Sequence, residues 1–245
     1  MTKEEVLQKC TVEGMLVKLP AEQLDRKLYV EVASALNKIG GKWKGGKVMG
    51  FEFSSDPSTL LEEIAGGVKR NIKKEFQFYG TSDELSDELV VLANITEKDI
   101  ILEPSAGQGA IIKAIQRVIP KKLVHWCELM SENQTHLRKI SNAELVCEDI
   151  FEHKIKNFYD KIVANPPFSK NQDIDHVMKM YDLLKKGGRL VSIMSSHWKT
   201  SKNKKETEFR EFIKKTKATV KDVEAGAFKQ SGTNVATVIV VIDKK

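Results

Sequence analysis

Asp99-Ile100-Ile101-Leu102-Glu103-Pro104-Ser105-Ala106-Gly107-Gln108-Gly109-Ala110 decides the architecture of this chain. A short apolar run ends in an acid, a turn of small residues follows, and helical periodicity continues to about Val118. This is a strand, turn and helix in the order of an α/β unit. Glycines let the backbone approach a ligand closely, and the helix N-terminus offers unpaired N–H groups. A dinucleotide-binding turn wants a third glycine at position 112, which is Ile112 here. The acid at the strand end also opposes a pyrophosphate and suits a ligand carrying an ammonium group.

Outward from this unit, helix and strand keep alternating. Strands are expected at 99–103, 123–128, 144–147, 159–164, 188–195, 219–224 and 234–242, with helices at 82–94, 133–140, 173–184 and 206–217. Only about ten residues join the last two strands, too few for a helical crossover, so they should pair antiparallel. The expected fold is a doubly wound, seven-stranded, mostly parallel α/β sheet with an antiparallel last strand. Residues 1–75 read as a small separate α+β unit, and 76–245 as the main domain. In the small unit Pro20 is expected to open an amphipathic helix with Leu24, Leu28, Val32, Ala35 and Leu36 on one face. Gly40-Gly41 stops it, the basic run Lys42-Trp43-Lys44-Gly45-Gly46-Lys47 follows, and a short strand is expected at 48–53.

Composition excludes several classes. The 245 residues are 41% hydrophobic, enough for a core, and 30% charged. No apolar segment follows the N-terminal Met1-Thr2-Lys3-Glu4-Glu5, and the longest apolar run, 238–242, is far too short to span a bilayer. Cys10, Cys127 and Cys147 form no CxxC pair, which suits a reducing cytoplasm and gives no zinc signature, so no metal is expected. The net charge of +6 is concentrated: between Lys199 and Lys221 nine basic residues face Glu206, Glu208 and Glu211, and nine minus three is again +6. Lys199, Lys202, Lys204 and Lys205 are candidate phosphate contacts, with a solvated helix face as the competing reading. Trp43 between lysines is a candidate base-stacking residue, and a core or hairpin tryptophan is as good a reading.

Three further places carry chemistry. Glu128 ends the strand Val124-His125-Trp126-Cys127, where an acid can accept hydrogen bonds from ribose hydroxyls, although taken alone it reads more often as a solvated loop acid. Asp149, in Glu148-Asp149-Ile150, can accept from an adenine amine while Ile150 packs on the ring, although a loop acid before a core isoleucine reads equally well. Asn165-Pro166-Pro167-Phe168 directly follows the strand 159–164. Two prolines fix φ and remove two N–H donors, so carbonyls point out at the strand end beside an amide acceptor and an exposed aromatic. Such a pocket takes a planar group bearing NH2: the Asn165 oxygen and Pro166 carbonyl accept its hydrogens and Phe168 stacks on the ring.

With these motifs, residues 76–245 resemble the class I S-adenosylmethionine-dependent methyltransferases, and more narrowly the DNA N6-adenine methyltransferases with the cofactor motif ahead of the catalytic one. The resemblance implies that Glu103, Pro104, Ser105, Ala106, Gly107 and Gly109 hold the methionine part of S-adenosylmethionine. It implies that Glu128 and Leu129 hold the ribose, and Asp149 and Ile150 the adenine. Tyr79 and Thr81 would belong to an extra cofactor motif, though Ser82 stands where the family often has proline. Asn165, Pro166, Pro167 and Phe168 would carry catalysis, with Phe228 lining the base pocket. DNA is the implied partner, RNA the alternative, and a protein glutamine amide a lesser one, since those enzymes more typically have Tyr in place of Phe168. The expected protein is a monomer of the bacterial or phage-infected cytoplasm, with no membrane association.

Overall fold

The computed structural model describes residues 1–53, 56–72, 80–223 and 235–245. It divides into two compact units, Met1–Gln77 and Phe78–Lys245.

The first unit contains α1 (Lys3–Gln8), β1 (Thr11–Glu13), β2 (Leu16–Lys18), α2 (Arg26–Lys38), β3 (Lys42–Lys44), β4 (Gly50–Glu52) and α3 (Ser58–Ala65). The strands form an antiparallel sheet in the order β1-β2-β4-β3. Helix α2 begins at Arg26, not near Pro20, because the Asp25 side chain accepts the Leu28 N–H and supplies the N-cap. The α1 helix and the β1–β2 hairpin carry too few apolar repeats to stand out in the sequence.

The second unit contains α4 (Asp83–Ala93), β5 (Ile101–Glu103), α5 (Ala110–Val118), β6 (Val124–Cys127), α6 (Ser131–Leu137), β7 (Ala143–Cys147), β8 (Tyr159–Ala164), α7 (Gln172–Leu183), β9 (Leu184–Ser195), α8 (Lys204–Thr216), β10 (Thr219–Asp222) and β11 (Thr237–Asp243). Its seven strands run β10-β11-β9-β8-β5-β6-β7. The links β9-β8-β5-β6-β7 are parallel, and β11 is antiparallel to both β9 and β10. This is the expected doubly wound sheet.

Both faces are buried, as a parallel sheet requires. Ile101, Val163, Val191, Ile193 and Ile239 belong to one apolar cluster, whereas Leu102, Ile162, Ala164, Leu190, Met194, Val238 and Val240 belong to the other. The period-2 alternation thus feeds two cores, each buried large side chain contributing about 1.5–3 kcal/mol of transfer free energy. The strand order also creates a crevice: β5 and β8 are parallel neighbours at the switch point, so their carboxyl ends open on one cleft.

Candidate functional site

At the end of β5, Glu103 is only 2% exposed. Its Oε2 accepts the N–H of Ile112, in the first turn of α5, at 3.0 Å. The helix amide thereby holds the acid, and the acid caps the helix. Burial, aided by the nearby Glu128 charge, still raises the Glu103 pKa well above the ordinary glutamate range. Glu128, just past β6, accepts the N–H of Gly107 at 2.7 Å and of Met130 at 2.8 Å. Its pKa is also raised, by burial, with those amides opposing the shift. The Ala106 N–H donates to the Cys127 carbonyl at 3.0 Å, so the small-residue turn is fastened to the end of β6.

Gly107 and Gly109 have φ of 53° and 78°, backbone that a side chain would strain. A Cβ on Gly109 would meet Ile140 Cδ1 at 2.4 Å and Leu137 Cδ2 at 3.1 Å. This glycine therefore makes room for the side chains of Ile140 and Leu137. Asp149 accepts the Phe151 N–H at 2.9 Å. Ile150 is packed in the core at 2% exposure, so the apolar surface beside Asp149 belongs to Phe151, 48% exposed, to which no sequence motif points. Leu129 is exposed, while Pro104 and Ala106 are buried. Among the described residues neither Glu103 nor Glu128 has a lysine, arginine or histidine partner. Two neighbouring carboxylates with a raised pKa and no basic partner among the described residues suit a cationic ligand.

Across the crevice, Asn165 follows β8. Its Nδ2 donates to Thr81 Oγ1 at 3.1 Å, turning the amide oxygen away from Thr81. The hydroxyl read as a cofactor contact is thus also a brace for the candidate catalytic amide, and Ser82 next to it N-caps α4. Phe168 is not the exposed aromatic expected: at 9% exposure it belongs to the core cluster with Val163 and Val191. The chain after it turns sharply through Lys170 and Asn171, both left-handed, into α7. Asp173 in that helix is fully buried and accepts both the backbone N–H and the hydroxyl of Ser195, at 2.8 and 2.9 Å, tying the turn to the end of β9. Tyr79 and Phe228 lie outside the described residues.

The basic segment is built differently from a mobile loop. Lys199 pairs with Asp222 at 2.7 Å, Lys205 with Asp175 at 2.5 Å and Lys204 with Glu208 at 3.8 Å, while Lys202 has no ion-pair partner among the described residues. Exposed pairs of this kind contribute about 0–1 kcal/mol, so a phosphate can displace them. Arg210 faces inward, donating to the carbonyls of Trp198 and Ser201 at 2.6 and 2.7 Å. In the first unit, Trp43 is 42% exposed and meets Phe51 and Tyr29 edge-on, with ring centroids 5.1 and 6.4 Å away. Trp43 pairs with buried Phe51 across the sheet, so strand alternation sends Lys42 and Lys44 to the other face, where Lys44 pairs with Glu52. The indole is the rim of a core, and the lysines do not flank it.

A family model described as "Methyltransferase small domain" matches residues 83–229. The chain belongs to the methyltransferase small domain family. S-adenosylmethionine, whose methionine part carries an ammonium group, fits the buried acids Glu103 and Glu128. Among curated proteins, Ribosomal RNA small subunit methyltransferase A of Fusobacterium nucleatum is 30% identical over 105 residues, 39% of each chain. The methyltransferase-family chain thus spans about two fifths of the length of that relative. Among solved structures, the type I restriction-modification system methyltransferase subunit from Streptococcus thermophilus superposes with a TM-score of 0.60 at 15% identity, covering 77% of this chain and 50% of its own. A dimethyladenosine transferase from Plasmodium falciparum gives 0.52 at 17% identity, covering 69% and 64%. These two likenesses are of fold. No helix among the described residues is long and apolar enough to cross a membrane.

Proposed function

We propose that the protein transfers the methyl group of S-adenosylmethionine to the N6 amine of adenine in DNA, as an adenine-specific DNA methyltransferase acting on a flipped base. The observation that carries this reading is the Asn165-Pro166-Pro167-Phe168 turn at the end of β8, next to Glu103 at the end of its parallel neighbour β5. The cofactor supplies an electrophilic sulfonium methyl. Glu103 holds its ammonium group, Glu128 the ribose, and Asp149 the adenine amine, with Phe151 as the nearby apolar face.

The amine of adenine is a poor nucleophile because its lone pair is delocalised into the ring. The Asn165 Oδ1 and Pro166 carbonyl accept its two hydrogens and favour a pyramidal nitrogen whose lone pair faces the donor. Positioning and electrostatics carry such a reaction without a covalent intermediate. Phe168, held in the core, walls the pocket, and Phe228 is assigned to line it. Flipping costs a few kcal/mol of unstacking, least in single strands. Lys199, Lys202, Lys204 and Lys205 are assigned to phosphates.

Adenine in RNA is the second reading, favoured by the curated relative that methylates ribosomal RNA by name. Labelled methyl transfer to duplex DNA, single-stranded DNA and RNA, followed by nucleoside analysis, separates the two. The DNA reading expects N6-methyladenine in DNA, and label confined to RNA overturns it.

A further inference from the structure

Beyond the acids assigned to the cofactor, a further buried carboxylate is Glu206, 1% exposed in the first turn of α8. A buried carboxylate is costly unless hydrogen-bonded. A glutamate at the third helical position ordinarily reaches back to the backbone N–H of its own N-cap. Glu206 instead gathers side chains: its Oε1 accepts from Asn171 Nδ2 at 2.9 Å, Ser201 Oγ at 3.0 Å and Asn203 Nδ2 at 3.1 Å, with His197 Nε2 at 3.7 Å.

Asn171 is the informative partner. It and Lys170 have φ of 58° and 54°, two successive left-handed residues directly after Phe168-Ser169. Each such non-glycine residue costs about 1–2 kcal/mol and persists where its surroundings over-determine it. The exposed Lys205–Asp175 pair adds a second link between α8 and α7. Arg210, one turn on from Glu206, holds the carbonyls of Trp198 and Ser201. Segment 197–205 and the turn after Asn165 are therefore fastened to one helix end.

We infer that Glu206 is a positioning residue: through Asn171 it locks the turn after Asn165-Pro166-Pro167-Phe168 to the basic segment 197–205. A nucleic-acid backbone gripped by the segment and an amine gripped by Asn165 are then held at a fixed separation. The lock itself stands on geometry, and its effect on rate rests on the proposed nucleic-acid methylation.

The test uses the full-length protein with Glu206→Ala, Glu206→Gln, Asn171→Gly and the Ala/Gly double variant. Asn171→Gly loses the bond while keeping a residue that tolerates left-handed backbone. Amide hydrogen exchange is read at residues 168–175, together with kcat, KM and cofactor affinity. Glu206→Ala and Asn171→Gly are expected to speed exchange locally and lower kcat on the order of 10- to 100-fold, the range of a misplaced reacting group, with cofactor affinity unchanged. Glu206→Gln, which keeps an acceptor oxygen, should recover most of both. The double variant should lose no more than the worse single, as expected of one shared interaction. Unchanged local exchange in Glu206→Ala, or a rise spread over the whole chain with cofactor binding lost, overturns the inference. Faster local exchange in a protein whose wild type methylates no nucleic acid would sink the functional reading and leave the lock standing. Adenine methylation by the wild type, with Glu206→Ala neither loosened nor slowed, would sink the lock alone.

Discussion

The two halves of the crevice are held in place by different means. On the cofactor side the acids accept backbone amides: Glu103 from Ile112, Glu128 from Gly107 and Met130, Asp149 from Phe151. On the target side the bonds run between side chains over long separations, Asn165 to Thr81 across 84 positions and Asn171 to Glu206 across 35. Three of these four backbone contacts close within nine positions, and Glu128 to Gly107 spans 21, short beside the separations on the other side. Side-chain-held groups need the whole sheet assembled and give a single substitution more leverage.

The largest expected effect is on the target side. Asn165→Ala should lower methyl transfer by on the order of 10²–10³ or more, since it removes the acceptor proposed for the reacting amine, while S-adenosylmethionine still binds. Near wild-type turnover in that variant would remove Asn165 from the chemistry and erase the distinction between the two sides.

On the cofactor side, Glu103→Gln should weaken S-adenosylmethionine about 10- to 100-fold, the loss of one charge-assisted contact. The raised Glu103 pKa sets a sign for stability as well. The folded protein without cofactor holds this proton more tightly than the unfolded chain does, so stability falls as pH rises through and above the ordinary glutamate range. Glu103→Gln should therefore raise the melting temperature of the cofactor-free protein at neutral pH. A lowered one would mean that the carboxylate stabilises the empty fold.

His176, on α7 with its ring against Phe151, tests the cofactor side from another direction. Burial lowers its pKa to about 4. A histidine with a depressed folded pKa contributes stability above its unfolded value of about 6.5 that is lost as pH falls toward 4, up to about 3 kcal/mol at the lower end. Urea melts across this window should show the loss, and His176→Phe, which keeps the ring against Phe151, should flatten it. The smallest effect is expected from the rim. Four lysines on phosphates give a slope of log affinity on log salt near about −3.6, and a flat response would show that Lys199, Lys202, Lys204 and Lys205 make no phosphate contact.

The same contrast explains what could be read from the sequence. The strand–turn–helix at 99–110 announces itself because its apolar run, acid and glycines are consecutive. The antiparallel end of the sheet followed from one short connection. Asp173, Ser195 and Glu206 gave no signal, because nothing near an acid in sequence tells whether a serine or asparagine far along the chain will meet it. Phe168 misled for a related reason. Its place after two prolines suggested exposure, but the left-handed pair Lys170-Asn171 folds the turn back onto the core. For Trp43 the sequence left two readings open, and strand alternation, which sends Lys42 and Lys44 to the face opposite the indole, favours the core or hairpin one. Gly109 has a second reason to be glycine that the sequence does not show, the side chains of Ile140 and Leu137 packed against its Cα.

The most direct measurement is the chemical identity of the methylated product. The purified protein is incubated with labelled S-adenosylmethionine and, separately, duplex DNA, single-stranded DNA, RNA and protein, and the products are digested and separated. The expected result is N6-methyladenine from DNA, absent with Asn165→Ala. Label confined to RNA, on another base, on a glutamine amide, or on DNA to the same extent with Asn165→Ala would contradict it.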